Sequence, residues 1–284
     1  MYKRLTHLIA AASLLGASSC CSVIKPADQN SISLQGNHQT QSLDQVIDTS
    51  YCLRIKVDYK SKEGFKIRRG YLGSGFGYRK AGNYYYLITN KHVLGGKKYQ
   101  IGPIDFKREK ALTEIVDNKF DRTAHDDIKL ELVYEDPIKD LAVLRTKQKI
   151  NVLNNSYFGN SESLSYGEEV YIAGFPGGMF KAVTKGVVSH PNRKFRGIKT
   201  NILSVRIMGG NSGGPFFVKR EGKYLWMGLV RAYILNERGI NSELVMAVPS
   251  NEIIDIADHT ITHADEFIRK RAEKLEKRKV TQQK

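Results

Sequence analysis

Apolar and polar residues alternate one by one where the folded part of this chain begins. Tyr51, Leu53, Ile55, Val57 and Tyr59 fall on one side and Cys52, Arg54, Lys56 and Asp58 on the other, a period of two that predicts a half-buried β-strand. Short apolar runs follow, each cut off by glycine, asparagine, proline or a charged cluster. They are Tyr84–Thr89, Leu130–Tyr134, Leu141–Arg145, Glu169–Ala173, Ile202–Ile207, Tyr224–Val230 and Leu244–Val248. No strand pattern alternates with a helical one, so the chain reads as all-β, antiparallel, closed as a sandwich or a pair of barrels. The period changes after Pro249. Ser250 stands as N-cap to a short helix over Asn251–Ala257 with Ile253, Ile254 and Ala257 on one face. A second helix is predicted from His263 to Lys279, with Thr262 and Asp265 as a capping pair.

The N-terminal residues belong to a different class. Lys3 and Arg4 precede an apolar run over Leu8–Leu15, and Ala17-Ser18-Ser19 sets small residues before Cys20. That is the layout of a secretory leader over 1–19, too short to span a bilayer. Small residues ending in cysteine also resemble the lipobox of bacterial lipoproteins, which predicts lipid on Cys20 and attachment to a membrane; Ala17 departs from the leucine usual there. Residues 20–48 are rich in Ser, Gln, Asn and Asp and read as a tether. Cys20, Cys21 and Cys52 are the only cysteines. They build no metal site and no disulfide scaffold, and with Cys20 lipidated only Cys21 and Cys52 remain to pair.

Composition sets the partners. The 41 % hydrophobic content suffices for a core, and a net charge of +16 favours anionic surfaces. Part of that charge gathers from Arg269-Lys270-Arg271 to Lys277-Arg278-Lys279, a solvated helix face or a membrane-surface contact. No nucleic-acid motif accompanies it, so no nucleic-acid partner is expected.

Three segments carry candidate chemistry. The first is Gly73-Ser74-Gly75-Phe76-Gly77 followed by Tyr84 to Thr89 and Asn90-Lys91-His92-Val93, the second Asp136-Pro137-Ile138-Lys139-Asp140-Leu141-Ala142-Val143-Leu144, and the third Gly209-Gly210-Asn211-Ser212-Gly213-Gly214-Pro215. Singly, each has an ordinary explanation as a boundary histidine, a turn aspartate or a hairpin loop. Together they offer a nucleophile, a base and an acid. A serine hydroxyl attacks only with an adjacent base, itself oriented by a third group. Glycines around Ser212 let the N–H groups of Gly210 and Ser212 point into one cavity as an oxyanion hole.

These segments, in this order, resemble the chymotrypsin-fold serine peptidases, most closely the HtrA family of bacterial envelope proteases. There a Gly-Ser-Gly precedes a strand ending Thr-Asn-x-His-Val, an Asp-Leu-Ala-Val-Leu carries the acid, and Gly-Asn-Ser-Gly-Gly-Pro carries the nucleophile. Ala173-Gly174-Phe175-Pro176-Gly177-Gly178, Thr184 to Ser189 and Ala247-Val248-Pro249-Ser250-Asn251 match as well. The resemblance implies two six-stranded antiparallel barrels, about 49–150 and 160–249, within a peptidase domain over 49–257, followed by a charged helical tail over 258–284. It implies a serine endopeptidase acting on protein or peptide substrates without cofactor or metal, with His92, Asp140 and Ser212 as triad. The setting implied is the cell envelope, periplasm or lipid-anchored. By alignment the primary specificity pocket falls to Arg206, Ile207, Val230, Arg231 and Ala232, and the two arginines raise the prospect of an acidic-residue pocket. The family usually carries PDZ domains after the protease, and none is expected here. Met208-Gly209 replaces the family's Asn-Pro before the oxyanion glycine.

Other readings fit less well. Gly210-Asn211-Ser212-Gly213-Gly214 also satisfies the nucleophile elbow of α/β-hydrolases, but only His259 and His263 follow it and no helix pattern succeeds Pro215. No helix opens after Gly73–Gly77, as a phosphate loop requires. A silent trypsin-fold scaffold at a membrane surface is the alternative in a different class.

Overall fold

The computed structural model describes residues 42–116, 127–195, 197–235 and 241–283. The leader, Cys20, Cys21 and most of the tether lie outside the described residues. In chain order the strands are β1 (Ser50–Ser61), β2 (Lys66–Ala81), β3 (Tyr84–Thr89), β4 (Lys98–Ile101), β5 (Ile104–Val116), β6 (Ile128–Asp136), β7 (Leu141–Thr146), β8 (Glu169–Gly174), β9 (Ala182–Phe195), β10 (Ile198–Ser204), β11 (Pro215–Arg220), β12 (Lys223–Leu235) and β13 (Asn241–Pro249). Helices α1 (Leu43–Ile47), α2 (Ser250–Thr262) and α3 (Ala264–Gln283) flank them.

All pairings between these strands are antiparallel. The first barrel runs β1-β2-β3-β7-β6-β5 and closes by pairing β5 with β1, while β4 is added outside on β5. The second is closed in the order β10-β13-β12-β11-β8-β9. Closure removes the open edges that alternating strands otherwise expose.

Each barrel fills its interior with its own inward side chains, such as Leu53, Ile55, Leu87 and Leu144 in the first and Ile172, Leu203, Phe216 and Val245 in the second. A third core sits between them. Phe76 and Tyr78 of β2 meet Trp226 of β12, with ring centroids 4.8 Å apart for Phe76–Trp226, and Phe158 of the connecting segment packs edge-on to Trp226 at 5.3 Å. Each such aromatic pair adds about 0.5–1.5 kcal/mol beyond its area. Val46 of α1 and Ile253 and Ala257 of α2 complete this core, so part of the segment read as tether belongs to the fold. The Tyr78 hydroxyl donates to Asp258 of α2 at 2.8 Å. Burial, and then that bond to a carboxylate, push the phenol well above its usual range. The interface thus fixes one barrel against the other, which any site shared between them requires.

The C-terminal helices differ in detail from the sequence reading. Ser250 is the first residue of α2 rather than its cap, and its hydroxyl donates to Gly159 O (2.7 Å). Thr262 bonds back to Asp258 O at 2.9 Å, and Asp265 accepts from Arg145 Nη1 at 2.7 Å, so the two do not form a capping box. Arg145 also reaches Glu131 (2.8 Å) and lies 4.0 Å from the Tyr84 ring centroid, tying α3 to the first barrel. Arg271, from the run read as a solvated face or a membrane-surface contact, donates to Leu132 O at 2.6 Å, and Phe267 packs on Tyr134. Among the described residues no helix is long and apolar enough to cross a membrane.

Candidate active site

Two turns from the first barrel and one loop from the second meet at the barrel interface. The 3-10 turn Lys91–Leu94 follows β3 directly and carries His92. Asp140 precedes β7 and sits at φ 56°, a left-handed conformation that aspartate tolerates better than most side chains. The turn is held in place from the histidine side. The carbonyl of Asp140 accepts the Lys91 N–H (3.1 Å) and the Asn90 amide (3.1 Å).

The carboxylate of Asp140 is buried and fully used. Oδ1 accepts the main-chain N–H of His92 at 2.9 Å, and Oδ2 lies 2.7 Å from His92 Nδ1. The guanidinium of Arg231 reaches the same Oδ2 through Nε at 3.2 Å. Burial alone would raise the carboxyl pKa. The His92 ring, its charge, its N–H and the Arg231 cation together outweigh burial and hold the group below the ordinary aspartate range. Asp140 therefore stays ionised at neutral pH.

Ser212 lies in a loop over 208–214 between β10 and β11. The loop is built on close backbone approaches. Gly210 sits at φ 101°, and a Cβ there would run into the carbonyl of Phe175. Gly213 sits at φ 84°, and a Cβ there would strike Ser74 O and Thr89 Oγ1. Both positions need glycine. The Ser74 hydroxyl, fully buried, donates to Gly210 O at 2.7 Å and accepts the Phe175 N–H at 2.9 Å, while its N–H donates to Ser212 O at 2.8 Å. Ser74, from the first motif, pins the Ser212 loop to the first barrel; the sequence flagged its segment without that role. Among the described residues, the N–H groups of Gly210 and Ser212 have no acceptor in the protein. The Ser212 hydroxyl itself donates to Arg231 O at 3.1 Å.

The sequence-predicted residues thus separate into two groups. His92, Asp140 and Ser212 join one chain of contacts, with Arg231 as the link the sequence placed elsewhere. Arg206 points outward, its side chain 87 % exposed and paired with Glu243 at 3.2 Å. Ile207 and Val230 are buried and Ala232 is half-buried.

Residues 73–225 match the family described as a trypsin-like peptidase domain. The chain belongs to that family. The peptidase is also similar to proteins named serine protease HtrA-like from Staphylococcus aureus, among them those of strains USA300 and NCTC 8325. Each is 30 % identical over 201 residues, covering 66 % of this chain and 23 % of the relative. The peptidase therefore spans about a quarter of the length of these curated relatives. Among solved structures it is similar to the HtrA-type protease AlgW with decapeptide, at 21 % identity and a TM-score of 0.57 over 78 % of this chain and 66 % of that one. The same protease with tripeptide gives 22 % identity and a TM-score of 0.51 over 78 % and 62 %. These solved structures speak for the two-barrel fold. The family match and the names of the relatives agree on a domain of the serine-peptidase class.

Proposed function

We propose that this peptidase is an exported endopeptidase that cleaves through an acyl-enzyme formed on Ser212. The supporting observation is the arrangement at the barrel interface: Asp140 bonded to His92 at Nδ1, beside a nucleophile loop with two unengaged N–H donors. Asp140 fixes the tautomer in which Nε2 is free to accept a proton. The Ser212 hydroxyl turns from Arg231 O to Nε2, gives up its proton and attacks the scissile carbonyl. His92 then passes the proton to the leaving amine, and water repeats the sequence on the ester. The N–H groups of Gly210 and Ser212 take the developing oxyanion, worth about 3–4 kcal/mol per donor. An activated p-nitrophenyl ester tests the two-step course. Expected is a burst of nitrophenolate stoichiometric with enzyme before the steady state and, in enzyme quenched during it, an acyl group on Ser212; a burst without acyl on Ser212 rejects the acyl-enzyme.

The cellular setting is proposed from the leader-like N-terminus. Export by residues 1–19, lipid on Cys20 and a tether up to about residue 42 would hold the domain at a bacterial envelope membrane. The several acyl chains of a lipoprotein suffice for stable attachment. The wild-type protein should then partition into detergent and a Cys20→Ser protein into the aqueous phase; equal partition of the two rejects lipidation.

The specificity pocket is proposed to be apolar. With Arg206 outward and Arg231 on Asp140, Ile207, Val230 and Ala232 are the apolar residues left at the aligned positions.

A further inference from the structure

We infer that Arg231 is a positioning residue of the triad, its guanidinium sharing Asp140 Oδ2 with His92 and offsetting the charge that Asp140 exerts on the imidazolium formed during catalysis. The inference rests on the triad reading above and goes beyond it.

The backbone explains how an arginine from the second barrel arrives there. In the β12–β13 ladder Val230 pairs with Ala247 and Ala232 with Met246, leaving Arg231 as the extra residue of a β-bulge. A bulge bends its strand and re-aims the side chain at that point. Here the guanidinium, 23 % exposed, meets a carboxylate 9 % exposed, with Nε 3.2 Å from Oδ2. The same residue holds the nucleophile, because its carbonyl accepts the Ser212 hydroxyl at 3.1 Å. Arg231 therefore touches the acid with its side chain and the nucleophile with its main chain.

Among the described residues, few other charges compete at this point. Lys91 adjoins His92, Lys139 is tied to Glu252 at 2.6 Å, and Asp136 caps the N–H groups of Ile138 and Lys139. Glu243 of β13 pairs with Arg206, and Tyr233 of β12 is exposed. Among the described residues, Arg231 is thus the cation in contact with Asp140 besides a protonated His92.

The consequence follows from what the carboxylate does. Its negative charge stabilises the imidazolium that appears when Ser212 loses its proton. A cation on the same oxygen opposes that effect while keeping the carboxylate oriented. Removing the cation should leave the base easier to protonate, so the acid limb of kcat/KM moves to higher pH. Between partly buried unit charges at this range the movement should be about one pH unit.

The test is a pH–kcat/KM profile for the wild type, Arg231→Met and Arg231→Lys on one peptide substrate, with fluorophosphonate labelling of Ser212 and thermal unfolding read on each preparation. Expected is an acid limb raised by about one pH unit in Arg231→Met and returned to near the wild-type position in Arg231→Lys. A purely structural role would lower kcat/KM at every pH without moving the limb. A limb in Arg231→Met within about 0.2 pH unit of wild type, or one displaced equally by lysine, overturns the inference. If the wild type itself is not labelled at Ser212, the triad reading falls and this inference with it. Labelling with an unmoved limb rejects the role of Arg231 alone.

Discussion

Ser212→Ala should lower kcat for peptide hydrolysis by about 10⁶-fold, leaving only what binding and the oxyanion donors supply. The fold should hardly respond. The hydroxyl makes one hydrogen bond, to Arg231 O, and the loop is held instead by main-chain contacts from Ser74 and by glycines packed against Phe175 O and Thr89. His92→Ala should be about as severe, and the double variant should lose little more, because a nucleophile without its base and a base without its nucleophile fail at the same step. Parallel kcat measurements with thermal unfolding on the three variants check this. Losses that multiply would mean the residues act independently.

Asp140→Asn should cost about 10⁴-fold in kcat with a nearly unchanged structure. The reason lies in the two oxygens. Oδ1 faces the main-chain N–H of His92, so the amide oxygen must keep that place. The amide NH₂ then replaces Oδ2 and points a donor at His92 Nδ1 and at Arg231 Nε. Nδ1 is forced to accept, its proton moves to Nε2, and the ring can no longer take a proton from Ser212. Arg231 loses its carboxylate at the same time. Kinetics on a folded Asp140→Asn protein test this; activity within about tenfold of wild type would show that the tautomer is not set at this position.

Much of this arrangement is legible in the order of residues. β3 runs from Tyr84 to Thr89, as its apolar run predicts, and β1 extends the alternation of Tyr51–Tyr59 by one residue before and two after. Those strands are legible because their inner faces are continuous and apolar. β5 was hidden for the opposite reason. Its Lys107-Arg108-Glu109-Lys110 stretch carries little apolar signal, and its register slips by one residue at Asp58/Tyr59. Glycine obscured β2, whose Gly73 and Gly75 lie within a paired strand but carry no side chain to mark its alternation. In the site, the local motifs mark His92, Asp140 and Ser212 as candidates because each sits in its own short segment. Ser74 and Arg231 act through contacts 136 and 91 residues away in sequence, which no local pattern carries. Counting along the chain puts Arg231 in the specificity pocket. The bulge at that residue is what turns its side chain to Asp140 instead.

The central claim is that the Ser212 hydroxyl is activated by His92 and Asp140. Its most direct test is to treat the folded protein at neutral pH with a fluorophosphonate and locate the adduct by peptide mass spectrometry. Expected is one stoichiometric adduct on Ser212, strongly slowed in His92→Ala and Asp140→Asn. No adduct on Ser212, or one that forms equally fast without His92, would contradict it.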